Sequence, residues 1–230
     1  MSIDRERVSR PREADFAWSR DDLRAVTAFT SATAEVVLPY FELRCPADTR
    51  PRHALDAALA VARGEPRSRA QRVSAPAAHR AGREASSDVA FHAAMAAGDA
   101  AASAYLHPLA DLAQVKHILR APAHAIRVIE LADSSDECSG LGFFAEHFAS
   151  YATVQLCDVL RRYPRISAMS GDSNAMSSRS AERPDDSNER PGRTRANTNH
   201  INRLMHELDV RLRVQPTAPS SQPTAMSGQP

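Results

Sequence analysis

Apolar residues in this chain recur three and four positions apart in one stretch after another, and no segment sustains the alternation of a half-buried strand. Such a pattern confines the fold to helix packed on helix. Ser19-Arg20-Asp21-Asp22 reads as a capping box with Asp in place of Glu. Leu23, Val26, Thr30, Val37, Leu38 and Phe41 then share one face, with Pro39 expected to kink the last turn. A second helix is framed by Thr49 as cap, Pro51 in the first turn and Gly64 as stop, with Leu55, Ala58, Leu59 and Ala62 as its stripe. A third covers 68–85, with Pro76 expected to break it. Ser86-Ser87-Asp88 starts a fourth, on which Phe91, Met95, Gly98 and Ala102 fall on one line. Small residues there would let a neighbouring helix approach closely.

Pro108 punctuates the chain, and a fifth helix is expected from 109 to 132. Its apolar face is Leu112, Val115, Leu119, Ile126 and Ile129, and Pro122 on that face should bend it. After a polar turn at 133–140, one or two short helices reach Tyr163. From Arg165 onward the composition turns to Ser, Pro, Asn, Arg and Gln, which bury too little apolar surface to offset ordering entropy. One island interrupts that tail, with Ile201, Leu204, Met205, Leu208 and Leu212 on one face, and reads either as a docking helix for the domain or a partner or, by preference, as a transient helix without a role. The expected architecture is therefore all-α, an antiparallel bundle of about six to seven helices with a disordered C-terminal tail. Its parts are a flexible arm at 1–18, a helical domain at 19–164 and a tail at 165–230 that holds a short helix at 199–213.

The 29 basic and 28 acidic residues leave a formal net charge of +1, so the chain has no global electrostatic footprint for nucleic acid or anionic lipid. Lys116 is the only lysine. Arginine favours bidentate pairing with carboxylates and phosphates, and a GC-rich genome produces the same bias. Cys45, Cys138 and Cys157 are too far apart for a CxxC pair, and an odd count suits reduced thiols. With a charged start and no long apolar run, the expectation is a cytoplasmic protein.

Motifs for catalysis are missing. The sequence has no HExxH, no zinc-spaced Cys/His set, no GxSxG and no GxxxxGK[ST], so no cofactor or catalytic residue is assigned. His92, Asp99 and Ser103 line one side of the fourth helix, but His92 and Asp99 stand about 10 Å apart in helical rise, beyond hydrogen-bond reach. His117, Arg120, His124 and Arg127 form a stripe on the fifth helix, roughly 150° from its apolar face. Such a basic ridge reads either as a docking surface for an acidic partner or as an ordinary solvated face, with the stem of Lys116 packed beside it.

Several short motifs, taken in order, resemble the Imm-five-like immunity-protein domain of bacterial polymorphic-toxin systems. They begin with Ser31-Ala32-Thr33-Ala34-Glu35-Val36-Val37-Leu38-Pro39-Tyr40-Phe41-Glu42, then Asp48-Thr49-Arg50-Pro51-Arg52 and Ala62-Arg63-Gly64. Ala78-His79-Arg80-Ala81 follows, then Ala97-Gly98-Asp99-Ala100-Ala101 and Ala104-Tyr105-Leu106-His107-Pro108-Leu109-Ala110. Gln114-Val115-Lys116-His117-Ile118-Leu119 and Asp158-Val159-Leu160-Arg161-Arg162-Tyr163-Pro164 complete a resemblance over 20–164. The segment 135–152 and residues 165–230 depart from it.

The resemblance implies an all-helical protein that neutralises a cognate toxin domain by binding it. Asp99, His107, Lys116, His117, Arg120, His124 and Arg127 are the expected partner-binding residues. Arg120→Glu is expected to weaken binding while leaving the fold intact. Two other readings stay open: a helical scaffold or regulator without a toxin partner, and a nucleic-acid-associated or exonuclease-like protein.

Overall fold

The computed structural model describes residues 16–132, 141–167 and 193–215. Among them are eight helices and no strand: α1 (Arg20–Arg44), α2 (Arg50–Ala62), α3 (Arg69–Glu84), α4 (Asp88–Ser103), α5 (Leu112–Ala132), α6 (Leu141–Ala149), α7 (Val154–Arg161) and α8 (Arg193–Val214). The all-α expectation holds.

Local chemistry sets most boundaries. Ser19 and Asp22 close the expected capping box on α1, with Asp22 N–H on Ser19 Oγ at 3.1 Å and Ser19 N–H on Asp22 Oδ2 at 2.8 Å. Gly64, at φ +107°, ends α2 in the left-handed conformation that a Cβ would strain. Thr49 does not cap α2 through its side chain; Asp48 Oδ1 accepts the Arg50 N–H at 3.1 Å instead. Pro76 does not break α3, which runs unbroken through it. The proline is exposed, so the carbonyl it leaves without a partner can be hydrated. Pro39 and Pro122 likewise lie inside continuous helices.

α4 is the axis of the bundle and packs against α1, α2, α3 and α5. A helix that is half Ala can be surrounded in this way because its neighbours approach closely with few large side chains to accommodate. Gly98 marks the tightest approach: a Cβ there would lie 2.5 Å from His79 Nε2 and 3.1 Å from the Ala75 carbonyl oxygen. Large buried side chains from several helices fill the core, among them Leu38 and Phe41 of α1, Leu55 of α2, Ile118 and Ile126 of α5, Phe148 of α6 and Leu160 of α7, each worth about 1.5–3 kcal/mol when fully buried. The buried threonines of α1 bond back to the turn before them, and Thr30 Oγ1 also meets Ser103 Oγ at 2.9 Å, tying α1 to α4. Ser103 is thereby committed to packing.

Two expectations need correction. The 201–212 island is part of α8, a full helix whose Ile201, Leu204, Met205, Leu208 and Leu212 are buried as it packs on α5, α6 and α7. Asp209 on its buried side accepts from Arg213 Nε at 2.7 Å and from the Ile166 N–H at 3.1 Å, while Arg213 also donates to the Tyr163 and Pro164 carbonyls. Residues 163–166 are thus stapled to α8. At the other end, Phe16, expected in a loose arm, stacks edge-on against Tyr163 at 4.9 Å. Residues 1–15, 133–140, including Cys138, and 168–192 lie outside the described residues, as does 216–230.

Candidate functional site

Where α3, α4 and α5 meet, a carboxylate is buried among nitrogen bases. Asp99 of α4, with its side chain 5% exposed, has His79 Nε2 of α3 at 3.3 Å, Arg120 Nε of α5 at 3.5 Å and His124 Nε2 of α5 at 3.6 Å. The helices place these groups by simple registers. His79 lies one turn beyond Ala75 on the side of α3 that Gly98 admits, and Arg120 and His124 are one turn apart on α5. All three contacts are longer than a good charge-assisted hydrogen bond, and Asp99 Oδ2 has no hydrogen-bond partner. Burial alone would raise the Asp99 carboxyl; His79, Arg120 and His124 outweigh it and hold the group below its ordinary value.

Behind this carboxylate the polar cluster continues inward. His124 Nδ1 and His92 Nδ1 are 2.8 Å apart. With His124 Nε2 facing the carboxylate, the favourable arrangement puts its proton there and leaves Nδ1 as acceptor. His92 then donates from Nδ1, and its Nε2 remains a buried atom without a hydrogen-bond partner. Burial pushes His124 down to about 4, with Asp99 opposing and Arg120 assisting, and pushes His92 down to about 2, with help from His124 and Arg127. Both imidazoles are neutral in the fold at pH 7.

The stripe on α5 is therefore no solvated ridge. α5 is packed by α1, α4, α6 and α8, so a side 150° from its apolar face is still covered. Asp99 draws Arg120 and His124 onto α4. Arg127 leaves the stripe and pairs with Glu130 at 3.1 Å, a carboxylate that also holds His200 of α8 at 2.7 Å. His117 is half-buried and lowered chiefly by burial, against the pull of Asp99 and with Arg120 and His107 adding repulsion. His107 and Lys116 are exposed; the His107 N–H donates to Gln114 Oε1 at 2.8 Å.

Of the expected residues, Asp99, His117, Arg120 and His124 come together with His107 near them, while Arg127 belongs to the α8 side. Asp99 and His124 are too buried to touch a partner, and what reaches the surface is Arg120, 38% exposed at its side chain, and His79, 22% exposed. Arg120→Glu would set a second carboxylate beside Asp99, so it cannot be the fold-neutral test that the ridge reading assumed. Sequence reasoning missed His79, and it set His92 aside as too far from Asp99 along α4. The opposed glycine at 98 was the one visible sign that a large group on α3 needs room there. Among the described residues no group of His, Cys, Asp and Glu is arranged to hold a metal ion.

A family model described as "Imm-5 like putative immunity protein" matches residues 18–141. The chain belongs to this family. The match takes in α1 through α5, hence every residue of the Asp99 cluster, and ends at the first residue of α6. The resemblance read to residue 164 thus extends past the matched span, and the 158–164 motif lies on α7 and just after it. No curated protein and no solved structure matches the chain.

Proposed function

We propose that this family member is a non-catalytic immunity protein of the bacterial cytoplasm that binds a cognate toxin domain and neutralises it through the face where α3, α4 and α5 meet. The observation that carries the proposal is that the family match covers α1 to α5, three of which build this face, where the buried Asp99 carboxylate lies against Arg120 and His79. Neutralisation by binding requires complementarity and no reactive group. A buried Asp99 that positions Arg120 and His79 supplies preorganised donors, which lowers the ordering cost of association. Lys116, exposed beside them, adds positive charge suited to an acidic toxin surface and to fast, salt-sensitive encounter.

The test starts from a pull-down with the tagged full chain in its native bacterium. The expected catch is a multidomain secreted protein retained through its C-terminal toxin domain. Co-expression of that toxin domain with the chain should then restore growth that the toxin alone arrests. Lys116→Glu should weaken the purified complex at unchanged melting temperature, and Arg120→Gln should weaken it with the melting temperature lowered by no more than a few degrees. Growth arrest that persists with the chain folded and in excess sinks the reading.

A further inference from the structure

The elbow between α2 and α3 carries four arginines, Arg63, Arg67, Arg69 and Arg72, all exposed. Among the described residues none of these guanidinium groups has a carboxylate partner, whereas Arg50, Arg52, Arg162 and Arg213 each sit on one. The only acidic residue within the elbow is Glu65. Two of the four are organised by an aromatic ring. Tyr105, just past α4, has Arg67 Cζ at 5.9 Å and Arg72 Cζ at 5.0 Å from its ring centroid. The Tyr105 hydroxyl donates to the Ser68 carbonyl at 2.6 Å, which fixes the ring against the start of α3.

We infer that this tyrosine-braced arginine elbow is a docking site for a carboxylate-rich segment of a protein partner. Two like charges gathered around one ring repel each other. The negative face of the ring offsets part of that, and an anion bridging the two guanidinium groups would offset the rest. Stacking also removes rotamer freedom from both arginines before any partner arrives, so less is lost on binding. Arg72 and His79 are seven residues apart, on the same side of α3, so the elbow continues the face built around Asp99. The choice of polypeptide over nucleic acid rests on the immunity reading, and on the short reach of a patch that includes Glu65 in a chain of net charge +1.

The test uses the full chain and a labelled polyglutamate peptide, read by fluorescence anisotropy at low and high salt, beside a single-stranded oligothymidylate of equal charge. Arg72→Glu is compared with Arg44→Glu, an equal charge reversal at an exposed arginine on α1. The expected result is salt-sensitive peptide binding, weakened about tenfold by Arg72→Glu and little by Arg44→Glu. Tyr105→Leu should also weaken it several-fold, with charge unchanged and circular dichroism preserved. No peptide binding, equal loss from both reversals, or tighter binding of the oligonucleotide overturns the inference. A toxin domain that is neutralised by the chain and binds Arg72→Glu undiminished overturns the elbow alone and leaves the immunity reading standing.

Discussion

His92 of α4 and His124 of α5 face each other Nδ1 to Nδ1 at 2.8 Å, a contact that is a hydrogen bond only while one proton lies between those atoms. The pair makes the fold sensitive to acid. Both groups fall below their ordinary 6.5, to about 4 and about 2, because burial disfavours their charged forms. Below 6.5 the unfolded chain takes up protons that the folded chain does not, so stability is complete above that value and falls as pH drops through it toward 4. Asp99, held below its ordinary 3.8, acts in the same direction at lower pH. Facing the pair are Asp99, Arg120 and His79 on one side and Arg127 and His200 on the other. Each histidine contributes up to about 1.4 kcal/mol per pH unit in its window. Thermal melts should be level above about pH 7 and decline by several degrees toward about pH 5. Replacing both histidines with Leu should flatten that decline, and a wild-type melting temperature level down to pH 5 would contradict the account.

Arg120 separates two kinds of charge effect. Arg120→Glu brings a carboxylate against the buried Asp99, and repulsion plus a lost counter-charge should destabilise the fold by about 2–4 kcal/mol. Arg120→Gln removes only a partly solvated partner and should cost about 1 kcal/mol or less. Urea unfolding of the two variants checks the order. Equal midpoints would mean that Asp99 does not depend on Arg120.

The fold was readable wherever one short-range rule decided the outcome. The Ser19 box and the Gly64 stop follow from local hydrogen bonding and φ alone. Pro76 was misjudged because a missing N–H matters less on an exposed side, which sequence does not display. The α5 stripe was misread because periodicity locates one covered face and α5 has neighbours on several sides; Ala121, Ala123 and Ala125 were the small residues that permit this. Within the site, the Arg120 and His124 spacing was legible as an intrahelical pattern. Their convergence with His79 on Asp99 was not, since it depends on how three helices lie against one another.

Gly98 is required by that convergence. Ala would gain up to about 1 kcal/mol in helix propensity, but its Cβ would strike His79 and the Ala75 carbonyl. Overpacking of this kind costs about 1–3 kcal/mol, so Gly98→Ala should be net destabilising. Adding His79→Ala should recover part of the loss, leaving the backbone contact with Ala75 unrelieved. Additive effects in a double-mutant cycle would show that the ring and the glycine are not coupled.

α8 provides the sharpest contrast between composition and packing. The chemistry of its surroundings argues for a tail, yet Leu208 is fully buried while Val210, two positions on, is 45% exposed. Leu208→Ala should therefore cost about 2–5 kcal/mol and Val210→Ala no more than about 0.5 kcal/mol. Truncation after Pro164 removes α8 altogether and uncovers the apolar sides of α5, α6 and α7 that it packs on. It also strips the Tyr163 and Pro164 carbonyls of Arg213. The shortened chain should melt at a much lower temperature and with a broader transition than the full chain. If truncation left both unchanged, α8 would contribute nothing to the bundle, and the buried face of Leu204, Leu208 and Leu212 would have no energetic meaning.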